Sequence, residues 1–67
     1  MPTEGKLLLA WRLKCANVRE NIRLLECTLG IPTLQNDTRL AVEKLLRENQ
    51  DDAKLYDAII GKLEHKF

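Results

Sequence analysis

Between residues 4 and 29 the side chains Leu8, Trp11, Cys15, Val18, Ile22, Leu25 and Leu29 recur at alternating intervals of three and four. That is the a/d pattern of helices packed along a seam, and it predicts a helix over about 4–29. A second series, Val42, Leu46, Asn49, Ala53, Tyr56, Ile60, Leu63 and Phe67, repeats the spacing and predicts a helix over about 37–66. Asn49 is its only polar member. No stretch alternates apolar and polar residues long enough to read as a strand. The two series are separated by Gly30-Ile31-Pro32-Thr33. Glycine suits a helix C-terminus, and a proline just beyond it prevents continuation. Asn36, Asp37 and Thr38 then offer N-caps for the second helix. Asn36-Asp37-Thr38 also matches the N-glycosylation pattern, but a cap accounts for the same residues without a secretion signal.

Folded back at 30–36, the two series pair antiparallel in one register: Leu29 with Val42, Leu25 with Leu46, Ile22 with Asn49, Val18 with Ala53, Cys15 with Tyr56, Trp11 with Ile60 and Leu8 with Leu63. Every a position meets a d position, and large meets small at Val18/Ala53 and Cys15/Tyr56, which fills space evenly. On the flanks this register brings Arg12 near Asp57 and, unfavourably, Glu26 near Glu43. A rival arrangement breaks the second helix at Asn49-Gln50-Asp51-Asp52 and gives a three-helix bundle. The register match favours the hairpin. In the hairpin, Asn49 either fixes register and oligomer number or simply faces solvent.

At 67 residues the chain is a single helical domain, 1–67, able to bury only about 60% of its unfolded surface. Folds of this size usually rely on a disulfide, a metal or a partner chain. Cys15 and Cys27 lie on one helix about 18 Å apart, beyond the roughly 7 Å Cα separation of a disulfide. One histidine, His65, does not make a zinc set. The remaining staple is a partner chain. Leu7, Leu9, Leu13, Leu24 and Cys27 on the first helix, and Leu40, Leu45, Leu55 and Ile59 on the second, fall off the seam. A solitary hairpin cannot cover them. The expected solution is a homodimer, two hairpins forming a four-helix bundle, with Leu9, Leu13, Leu24, Leu45, Leu55 and Ile59 as candidate interface residues. Trp11, at a seam position, is expected in the core.

Charge adds little steering, with 11 Lys+Arg against 10 Asp+Glu. Arg12, Arg19 and Arg23 share a flank of the first helix and define an alternative, an RNA- or DNA-binding regulator, although no aromatic side chain accompanies them for base stacking. Glycine-rich phosphate loops, HExxH and CxxC are all absent, so no catalytic, cofactor-binding or metal-binding residue is assigned and no small-molecule substrate is expected. Cys15 reads as a buried, inert thiol, Cys27 as a thiol without a base, and His65 as solvated. The apolar run Leu7–Trp11 is too short for a signal-peptide core or a membrane span, which suggests a cytoplasmic protein. The expected role is that of a small non-enzymatic helical protein that regulates, inhibits or adapts a protein partner through an apolar helix face.

Overall fold

The three-four spacing becomes two helices, α1 (Pro2–Leu29) and α2 (Asn36–Lys66). The computed structural model describes residues 2–66, with side chains from 5 to 65. Contacts such as Arg12 to Glu64 and Arg19 to Asp57 run in opposite directions along the two helices, which therefore pack antiparallel. The result is a rod of 51 × 15 × 13 Å. α1 starts at Pro2, two residues earlier than the spacing suggested. Proline is tolerated there because first-turn N–H groups have no helical partner.

The turn ends α1 by tightening it. Gly30 donates its N–H to the Cys27 carbonyl and Ile31 donates to that of Thr28, both at 3.1 Å. Gly30 does not take the left-handed conformation common at helix ends, and a Cβ there would meet the Cys27 carbonyl oxygen at 3.3 Å. Arg39 then reaches back from α2. Its guanidinium donates to the Leu29 carbonyl at 3.1 Å and to that of Ile31 at 3.4 Å. A cation at the C-terminus of α1 both fills carbonyls left without helical partners and opposes the helix dipole.

α2 begins one residue early. The Arg39 N–H donates to the Gln35 carbonyl at 2.8 Å, so Gln35 stands at the cap and Asn36, Asp37 and Thr38 form the first turn. None of the three makes a side-chain cap bond among the described residues. Asp37 still supplies a negative charge beside the helix N-terminus.

The break expected in the three-helix alternative at 49–52 does not occur, and α2 runs through it. The Asn49 amide donates to the Leu45 carbonyl, four residues back, at 2.8 Å. One of its amide donors is thus satisfied within its own helix. Gln50, Asp51 and Asp52 point into solvent, and no proline or glycine interrupts the ladder there.

Burial follows the seam. Among the described residues Cys15 and Val42 are the buried apolar ones, at 5% and 9% exposure. Leu8, Trp11, Val18, Ile22, Leu25 and Leu29 on α1 are half-buried, as are Leu46, Asn49, Ala53, Tyr56, Ile60 and Leu63 on α2. Phe67 lies outside the described residues. Trp11 meets Tyr56 across the seam, with ring centroids 5.6 Å apart at a tilt of 54°, a pairing worth about 0.5–1.5 kcal/mol beyond its area.

Gly61, inside α2, has open space where a Cβ would stand. Gly61→Ala should therefore stabilise the hairpin by about 0.5–1 kcal/mol, the usual difference between the two residues within a helix. Thermal melts followed by circular dichroism check this, and an unchanged or lowered midpoint would count against a continuous helix at this position.

Candidate protein interface

The seam leaves the rod with two edges of different chemistry. On the first, the residue after a seam position on α1 meets the residue after a seam position on α2. Arg12 pairs with Glu64, and Arg19 places one guanidinium nitrogen 2.9 and 3.0 Å from the two carboxylate oxygens of Asp57. The sequence placed Arg12 near Asp57, and the structure corrects this. Helical side chains lean toward their own N-terminus. In an antiparallel pair the arginines therefore lean away from the turn and the carboxylates lean toward it. They meet one heptad beyond the pairing read from the sequence. The same offset puts Gln50, not Glu43, opposite Glu26 and removes the expected like-charge contact. Both ion pairs are solvent-exposed and contribute about 0–1 kcal/mol each.

Cys15 belongs to this edge as well as to the seam. Its thiol donates to the Asp57 carboxylate at 3.3 Å. Burial pushes the thiol pKa up, and the hydrogen bond to Asp57 and that residue's charge push it further, against a smaller opposing effect from Arg19. The shell that keeps water from the thiol is only two helices thick. A thiol held protonated in this way is a poor nucleophile. Arg19 is in turn held in its charged form, chiefly by its hydrogen bond to Asp57. Arg12, Cys15, Ala16, Arg19 and Ile60 line a shallow groove here.

The second edge is richer in apolar side chains. A groove between the helices is lined by Asn21, Leu24, Leu25, Leu45 and Asn49, so Leu24 and Leu45 come together from opposite helices. Heptad steps from Leu45 reach Asp52 and Ile59 on the same side of α2, and Leu55 stands one turn before Ile59. Of the six interface candidates, Leu24, Leu45, Leu55 and Ile59 therefore share one side of the rod. Ile59 is half-buried; the other three are 48–57% exposed. Leu9 and Leu13, 66% and 62% exposed, lie four residues apart on the outer surface of α1. Leu7 and Leu40 are also bare, as is Ile31 in the turn.

The three arginines of the nucleic-acid alternative each stand near an acid. Arg12 and Arg19 cross to α2, and Arg23 lies 4.0 Å from Glu20. What sequence reasoning missed was the Arg39 clasp and the Glu64 and Asp57 ladder. The ladder's signal was present as the seven-residue spacing shared by Arg12/Arg19 and Asp57/Glu64. No group of three metal-ligating side chains and no helix long and apolar enough to cross a membrane occurs among the described residues. Comparison with protein-family models, with curated proteins and with solved structures finds no match.

The two cysteines should behave as different reagents. A thiol-reactive dye should modify the exposed Cys27 in the folded protein and reach Cys15 only after unfolding, and equal rates would contradict the buried seam thiol. Because folding raises the Cys15 pKa above its ordinary value of 9.0, the native state binds the proton more tightly than the unfolded chain. The associated stability is fully present below pH 9.0 and is lost as pH rises through the native-state value. Thermal midpoints should thus fall more steeply with alkali in the natural chain than in Cys15→Ala; parallel curves would exclude the effect.

Proposed function

We propose that this chain is a small, non-enzymatic interaction protein that acts in the cytoplasm as a homodimer and regulates, inhibits or adapts a protein partner through an apolar helix face. The observation that carries the reading is the mismatch between inside and outside. Among the described residues two apolar side chains are buried, while eight large ones are 44–66% exposed. Apolar side chains left in water at this density favour association, and anchors of this kind supply most of the energy of a protein interface. Two free thiols suit a reducing compartment.

Leu9 and Leu13 are the candidate contacts for a partner, since they stand apart from the interhelical grooves. The alternative, nucleic-acid binding through Arg12, Arg19 and Arg23, draws less support because two of these cations are engaged with α2 carboxylates.

Leu13→Glu should remain helical, because the side chain is 62% exposed, and should lose the partner, because an unpaired charge in a dry interface costs several kcal/mol. Arg23→Glu is the matched control, being more exposed and further from its acid than Arg19. Crosslinking in the native host followed by mass spectrometry should recover a partner with the natural chain and with Arg23→Glu, but not with Leu13→Glu. Loss with Arg23→Glu alone, together with a steep salt dependence of binding to a DNA or RNA duplex, would favour the nucleic-acid reading.

A further inference from the structure

The two edges of the rod divide the exposed surface, and the division points to one occupant for the apolar edge. The chain exposes 5373 Å², whereas a globular monomer of its 7.7 kDa mass exposes about 4,300 Å². The excess of about 1,000 Å² is close to the roughly 800 Å² that each partner buries in a stable interface. The Leu24/Leu45 side carries apolar side chains toward both ends of the rod: Leu7 and Ala10 lie two heptads before Asn21 and Leu24, with the polar Lys14 and Asn17 between them, and Leu55 and Ile59 continue the side on α2.

We infer that this side is the self-association face, and that a second copy of the chain covers it. The inference rests on the homodimer reading above and specifies its face. The charged members of this side are of both signs, Lys14 on α1 and Glu48, Asp52 and Lys62 on α2, so two copies meet there without a net like-charge repulsion. The Arg12/Glu64 and Arg19/Asp57 edge, with the outer Leu9 and Leu13, faces away and stays free.

Ala10 and Ala16 allow a gentle test. Both are exposed residues of α1; Ala10 lies on the proposed face and Ala16 lines the opposite, charged groove. Single cysteines at these sites, in full-length chains with Cys27→Ala, are labelled with maleimide across a dilution series, and sedimentation equilibrium gives the mass. The expected mass is twice 7.7 kDa. Ala10→Cys should label at least about tenfold more slowly as dimer than as dissociated chain, because only the free chain reacts. Ala16→Cys should label at one rate throughout. A monomer at every concentration, or any higher oligomer, would overturn the inference but leave the partner test with Leu13→Glu standing. A dimer that protects Ala16→Cys and not Ala10→Cys would overturn the choice of face alone.

Discussion

Two helices lying side by side can enclose only the strip along which they touch, and water reaches the rest. The properties of this chain follow from that limit. Cys15 and Val42 are as deep as its core goes, and the other described seam residues each keep a side in solvent. The seam must therefore hold the hairpin with half-buried contacts, and it does so by regularity. Apolar side chains recur at every step but one, Trp11 and Tyr56 meet where Cys15 leaves room, and the exception, Asn49, bonds within its own helix.

A thin core also makes the edges matter. In a thicker domain the residues flanking a helix interface would touch a third layer; here they meet only each other or water. One edge is settled electrostatically by arginines of α1 and carboxylates of α2. Being exposed, these pairs weaken with salt and select between registers more than they stabilise either. The other edge brings Leu24 and Leu45 together and, among the described residues, has no ion pair across it, so its chemistry points outward.

The parts of this arrangement that were legible in the sequence are those set by period alone. The seam, the two helices and the turn follow from spacing, because burial along one strip imposes the spacing. The parts that were not legible depend on direction and reach. Arg12 finds Glu64 because helical side chains lean along the axis, which a level-by-level pairing ignores. Arg39 clasps the end of α1 because a long side chain four residues into α2 can span the turn. The polar run at 49–52 imitated a break, since the same residues serve as caps or as a solvated helix surface, and only the back-bond of Asn49 distinguishes the two. Among the interface candidates the sequence supplied identities. Which of them share a side emerged only once Leu24 and Leu45 were seen across one groove.

Pro32 has a consequence for the uniqueness of the chain's topology. The seam is complementary between α1 and α2 whether the two come from one chain or from two. If the six residues between Leu29 and Asn36 became helical, the chain would be one long rod, and two rods could exchange halves while keeping every seam contact. Such strand-for-strand exchange is a low-cost route to entangled dimers. Proline removes a backbone donor, clashes with the preceding turn and turns Ile31 away from helical geometry. It therefore acts as a topological guard, keeping the complementary halves of one molecule paired with each other.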